Sequence, residues 1–108
     1  MLDKEEFIKT LGKIIRKARN DKGISIEDLA FKSKISYSTI SCLERGKVGN
    51  LQIYNFYKLV KILDINPNLI FNQNQNPTED KITLINKISS LEDEDLKIIL
   101  ESLRKLTN

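Results

Sequence analysis

The sequence has no histidine, no tryptophan and only one cysteine in its 108 residues. A single cysteine cannot form a disulfide within the chain, and without histidine it cannot complete a zinc site. General acid–base catalysis relies most often on histidine, and the carboxylates here occur as runs at helix starts instead of as spaced pairs. These absences argue against an enzyme, predict no metal and no cofactor, and favour a protein of the reducing cytoplasm.

Glycine and proline are scarce as well, with four and two occurrences, which favours helices. No apolar run is long enough to cross a bilayer, so we expect no membrane segment. The first seven residues, MLDKEEF, are acidic where a secretory signal peptide carries basic and then apolar residues. The length suits one compact domain with a small appendage, and the helical patterns described below predict an all-α fold.

Positive charge is concentrated in the first two thirds of the chain. Residues 1–71 hold 13 lysines and arginines against 8 acidic residues, whereas residues 72–108 hold 5 against 7. The formal net charge of +3 therefore combines a basic body with an acidic tail. This asymmetry is expected when only the body meets phosphate groups.

Helical periodicity marks most of the body. Residues 4–21 and 51–63 each carry apolar side chains three or four positions apart, as on one face of an amphipathic helix. Between them, residues 25–46 read as two short helices joined by a tight turn. Ser25 and Ser36 are predicted to cap these helices, because their hydroxyls can accept backbone N–H groups at a helix start.

The paired short helices resemble the helix-turn-helix of the phage repressor/Cro-like (XRE) family. The resemblance extends from about residue 7 to residue 71 and rests on residues in the order and spacing of the family: Leu29–Ala30, Ile35–Ser36, Ile40–Ser41 and Leu43–Glu44–Arg45–Gly46. It implies a five-helix lambda-repressor-like domain over residues 1–71, whose second motif helix lies in the DNA major groove.

The resemblance also implies roles for individual residues. It assigns base reading to Tyr37, Ser38, Ser41 and Cys42, and phosphate contacts to Lys32, Lys34, Thr39, Arg45 and Lys47. For Thr39, a hydroxyl held locally on the helix surface is an equal alternative. None of the four base-reading residues is the Gln, Asn or Arg that makes the strong bidentate contacts, so the preferred DNA sequence cannot be read from them.

Four further positions carry structural expectations from the resemblance. Arg19 and Glu44 stand where family members form an ion pair between the first helix and the end of the second motif helix. Lys34 and Asp64 stand where the family usually has glycine, so we expect both to adopt left-handed backbone conformations, at a cost of roughly 1 kcal/mol for Lys34 and less for Asp64.

The end of the chain is predicted to form a separate unit. Residues 72–79 contain no apolar residue and read as a polar linker. Residues 80–108 read as a helical hairpin too small to be stable alone, which must pack on the body or on another copy of the chain. The polar linker favours a homodimer, formed through Ile85, Ile88, Leu96, Ile99, Leu103 and Leu106.

Together these features favour a cytoplasmic, sequence-specific DNA-binding regulator. We expect a homodimer that binds a pseudo-palindromic operator in double-stranded DNA and acts as a repressor. The alternative is a protein-interaction module, of the antitoxin or anti-repressor type, that keeps the fold with little DNA binding. The sequence identifies no small-molecule ligand.

Overall fold

The computed structural model describes residues 2–48, 50–71 and 78–107, with the side chains of 106 and 107 excepted. Every regular element within these residues is an α-helix, which confirms the all-α prediction. No helix among them is long and apolar enough to span a membrane. The helices are α1 (Lys4–Asp21), α2 (Ile26–Ser33), α3 (Tyr37–Glu44), α4 (Ile53–Leu63), α5 (Pro67–Phe71), α6 (Glu79–Ser89) and α7 (Asp93–Thr107).

The helix boundaries follow from local hydrogen bonds that the sequence predicts. The hydroxyl of Ser25 accepts the N–H of Asp28, and the Asp28 carboxylate accepts the N–H of Ser25 in return, a capping box. At the start of α3 the hydroxyl of Ser36 accepts the N–H of Thr39, which is the first of the two bonds of a capping box. Lys34 and Asp64 have φ angles of 59° and 53°, the left-handed conformations expected where the family has glycine.

The core lies where α1 crosses the other helices. Its fully buried side chains come from α1, α2, α3, α4 and α6, so that each amphipathic helix buries its apolar stripe against α1 or a neighbour of α1. The largest of these side chains are Ile14, Ile15, Leu29, Ile40, Leu43, Leu59, Leu63 and Ile82. This packing fixes α3 with one side buried and the other facing solvent.

The crossing of α1 and α3 is close because Gly12 stands at the contact. A Cβ at this position would overlap the carbonyl oxygen of Leu43 and approach that of Glu44 to 3.1 Å. Glycine in a helix interior costs about 1 kcal/mol of helix stability relative to alanine. At Gly12 this cost is offset by the packing of α1 against α3, which a side chain would prevent.

We therefore expect Gly12→Ala to destabilise the protein, although alanine is the better helix former. Overpacking against a backbone carbonyl costs about 3 kcal/mol, and the gain in propensity of about 1 kcal/mol leaves a net loss of about 2 kcal/mol. Urea unfolding of both proteins measures this difference. Gly23→Ala is the matched control, since a Cβ there meets nothing and only the left-handed conformation is penalised. A Gly12→Ala protein as stable as the wild type would show that α1 and α3 do not approach this closely.

The structure differs from the predicted arrangement of the last two helices. α6 packs against α1 of its own chain: Ile82 is fully buried in the core and Ile85 packs at its edge. The Thr83 hydroxyl donates to Asp21 (2.7 Å) and the Asn66 amide donates to Ser89 (2.7 Å), which fixes α6 across the body. Ile85 thus contacts the body of its own chain.

α7 does not pack along α6 or any other helix of the described residues, so the two helices do not form the predicted hairpin. Of the predicted linker, Thr78 caps α6 and Glu79 begins it, while residues 72–77 lie outside the described part of the chain. The side chain of Leu106 also lies outside the described part. The division into a body and a separate hairpin therefore does not describe α6, which joins the body.

Candidate nucleic-acid interface

The turn between α2 and α3 is held from both sides. The hydroxyl of Ser33, which is buried, accepts the N–H of Ile35 (3.2 Å), and Lys58 of α4 donates to the carbonyl oxygen of Ser33 (2.6 Å). Lys34 turns the chain in its left-handed conformation, and the N–H of Lys34 donates to the carbonyl oxygen of Ala30. These bonds set the angle of α3 relative to α2. The role of Lys58 could not be predicted from local patterns, because it depends on how α4 packs against the turn.

The structure brings the four predicted base-reading residues together on one side of α3. Tyr37 and Ser38 are exposed, with 52% of Tyr37 accessible, and Ser41 and Cys42 are half-buried one turn later. Ile40 and Leu43 on the opposite side are fully buried. We call the surface formed by Tyr37, Ser38, Ser41 and Cys42 the reading face. It is uncharged, and its hydroxyl groups can both donate and accept hydrogen bonds.

Arg45 brings a cation to the end of the reading face. Its Nε donates to the carbonyl oxygen of Ser41 (3.3 Å), and its terminal nitrogen lies 3.5 Å from the Cys42 sulfur. The sequence placed Arg45 only among the phosphate contacts. The structure places it beside the reading face as well, where an arginine has the donors to pair with guanine.

The other predicted phosphate contacts stand at both ends of α3. Lys32 and Lys34 precede the helix, Lys47 follows it, and all three are exposed. The half-buried Thr39 is held locally: its side-chain oxygen accepts the Ser36 hydroxyl (2.7 Å), while its N–H donates to that hydroxyl. A helix with cations at both ends suits a surface that lies between two phosphate backbones.

Arg19 and Glu44 fasten α3 to α1. The guanidinium donates to both carboxylate oxygens at 2.7 and 2.8 Å, and a third N–H reaches the carbonyl oxygen of Ile24 (2.9 Å). The side chains are only 11% and 4% exposed. Hydrogen bonding to Glu44 raises the pKa of Arg19 above its ordinary value, and burial opposes this only in part. The pair holds the end of α3 in place against α1.

Comparison with known proteins agrees with this geometry. The sequence model of the helix-turn-helix family matches residues 15–70, a span that contains α2, the turn and α3. The chain belongs to this helix-turn-helix family. Because the family is of the XRE type, the protein is a DNA-binding helix-turn-helix regulator, and the resemblance noted in the sequence is confirmed.

The fold extends the likeness beyond the helix-turn-helix span. A chain in a solved structure described as a complex of the SinR protein and the SinI protein matches this protein with a TM-score of 0.56 and 22% sequence identity. The match covers 90% of this helix-turn-helix protein and 97% of the other chain. At this identity the likeness establishes the fold alone. None of the curated proteins matches the chain.

Proposed function

We propose that the protein represses transcription as a cytoplasmic homodimer that binds a pseudo-palindromic operator. The observation that carries this proposal is the reading face of α3, exposed and uncharged, with cations at both ends of the helix. Inserted into a major groove, this face would contact bases while Lys32, Lys34, Arg45 and Lys47 contact phosphates. A bound dimer would then block access of polymerase to overlapping DNA.

The second half of the proposal concerns α7. Leu96, Ile99, Leu100 and Leu103 follow the spacing i, i+3, i+4 and i+7, which places them on one side of the helix. Leu100 and Leu103 are 45% and 52% exposed, and α7 does not pack along another helix of the described residues. An amphipathic helix of this kind is stable only when its apolar side is covered. We assign α7 of a second chain as the partner that buries this apolar side. The resulting dimer carries two reading faces.

Of the other predicted dimer contacts, Ile88 at the end of α6 remains 38% exposed and is retained. Ile85 is no longer included among the proposed dimer contacts, because it packs on the body of its own chain. Two α3 helices related by a two-fold axis would contact half-sites about one helical turn apart, which explains the preference for a pseudo-palindrome.

A second function is supported by two specific observations. The four residues of the reading face lack the amide and guanidinium groups that read adenine and guanine most strongly. The similar fold with a TM-score of 0.56 belongs to a complex of two proteins. Both observations suit a protein-interaction module that acts through α7 and binds DNA weakly.

Titration with duplex DNA at several salt concentrations separates the two functions. A DNA-binding regulator loses affinity steeply as salt rises, since bound phosphates release counterions in proportion to the contacts made. A slope near zero in a folded protein, even in low salt, would reject the repressor and favour the interaction module.

A further inference from the structure

A basic cleft lies beside the reading face, between α1 and the end of α3. It has a volume of about 530 Å³, and its floor is the exposed side of α1. The end of α3 and the start of α6, at Glu79, form its walls. Five cationic side chains line it: Lys9, Lys13, Arg16, Lys17 and Arg45. The packing of α6 on the body adds one residue, Glu79, to this lining.

The cations at the centre of the cleft are not balanced by the fold. Lys9 pairs with Glu5 (3.3 Å) and Lys17 pairs with Asp21 (2.8 Å), each within α1. Of the two carboxylates in the cleft wall, Glu44 is already occupied by the guanidinium of Arg19, and Glu79 acts on Lys17 from beyond ion-pair distance. Lys13 and Arg16, which lie between these pairs, have no carboxylate within ion-pair distance among the described residues.

This clustering is unfavourable for the isolated fold. Lys13 stands four residues from both Lys9 and Lys17 and three from Arg16, and like charges at these spacings repel one another on a helix surface. The ammonium group of Lys9 pairs with Glu5, while carbon atoms of its side chain lie against Gly46 at the end of α3. Lys13 and Arg16 therefore add repulsion that the fold itself does not require, and an external anion would relieve it.

Arg45 connects the cleft with the reading face. It lines the cleft wall, and its guanidinium also lies beside Cys42 at the end of the reading face. We propose that the cleft binds the phosphate backbone of DNA next to the major groove that α3 enters. This proposal depends on the DNA binding proposed above and extends the contact surface from α3 to α1. Lys13 and Arg16 would contact phosphates without reading sequence.

The test compares two double variants that lose the same charge. Lys13→Gln with Arg16→Gln empties the centre of the cleft, whereas Lys61→Gln with Lys81→Gln removes two exposed lysines that do not line it. Binding of each protein to one operator duplex and to one unrelated duplex is followed by fluorescence anisotropy between 50 and 200 mM salt.

The cleft variant is expected to lower the slope of log affinity against log salt by about 2, because each lost phosphate contact removes about 0.9. Across that fourfold range of salt, the wild type would then lose about tenfold more affinity than the variant. The reduction should be equal on both duplexes, the control variant should keep the wild-type slope, and neither variant should unfold at lower urea concentrations than the wild type.

Other outcomes would overturn the assignment in distinguishable ways. If the cleft variant keeps the slope of the control while the wild type binds DNA, the cleft does not contact the backbone and only this inference fails. Equal loss of slope in both double variants would mean a general effect of net charge. If the cleft binds inorganic triphosphate in NMR titrations but the DNA slope is unchanged, it is a site for a free anion. A wild type that does not bind duplex DNA would reject this inference together with the proposed function.

Discussion

The Leu100→Asp substitution is expected to convert the protein into a monomer and to weaken operator binding by about 100-fold or more. Leu100 lies in the apolar stripe of α7, and a carboxylate there would have to be buried without a partner in the dimer. Two linked half-site contacts typically exceed a single contact in affinity by 10² to 10⁴, so loss of the dimer removes about that factor. Sedimentation equilibrium measures the mass, and a two-half-site duplex measures the affinity.

Ile98→Asp provides the matched control for Leu100→Asp. Ile98 is 62% exposed on the same helix but lies off the stripe formed by Leu96, Ile99, Leu100 and Leu103. The control should therefore keep both the dimer and the affinity. If Leu100→Asp remains dimeric, or if both variants become monomers, the apolar stripe of α7 is not the dimer interface.

Removal of the Glu44 carboxylate by Glu44→Ala is expected to lower the free energy of unfolding by about 3 kcal/mol. The substitution leaves the guanidinium of Arg19, which is 11% exposed, with only the carbonyl oxygen of Ile24 as a partner. An uncompensated cation in a nearly buried place is strongly destabilising, whereas exposed ion pairs contribute at most about 1 kcal/mol. Urea unfolding measures the loss.

A double variant distinguishes the unpaired charge from lost packing. Arg19→Met with Glu44→Met removes both charges and keeps most of the volume, so it should regain most of the stability lost in Glu44→Ala. If the single variant loses less than about 1 kcal/mol, the pair behaves like an exposed one. If the double variant is the less stable of the two, the pair stabilises α3 through its net attraction.

Much of the fold could be predicted from the sequence because its signals are local. The apolar stripe of residues 4–21 and the caps Ser25 and Ser36 depend only on neighbouring residues, and the helices begin and end close to the predicted positions. The left-handed Lys34 and Asp64 needed the family resemblance as well, because neither residue by itself indicates a positive φ.

The position of α6 could not be predicted because its signal is ambiguous. Ile82, Ile85 and Ile88 form a stripe that can pack equally well on α1 or on a second chain. The bonds that decide the question join distant parts of the sequence, such as Thr83 with Asp21. The polar residues before α6 suggested separation from the body, but a polar connection does not prevent the following helix from packing.

The sequence predicts which residues of α3 form the candidate site, but not how the residues around α3 are placed. Periodicity places Tyr37, Ser38, Ser41 and Cys42 on one side of a helix once the helix is assigned. The position of Arg45 beside Cys42 depends on the side-chain conformation after the helix ends. The basic cleft combines α1, the end of α3 and Glu79 of α6, so its lining comes from residues that lie far apart in the sequence.

Selection from a random duplex pool, followed by sequencing, tests the central claim most directly. The account predicts a two-fold related motif with half-sites about one helical turn apart, recovered by the wild type. A Tyr37→Ala, Ser38→Ala variant, altered only on the reading face, should lose that motif while it keeps its fold. Recovery of the same motif by this variant would show that α3 does not read the bases, and enrichment of no motif by the folded wild type would contradict operator binding altogether.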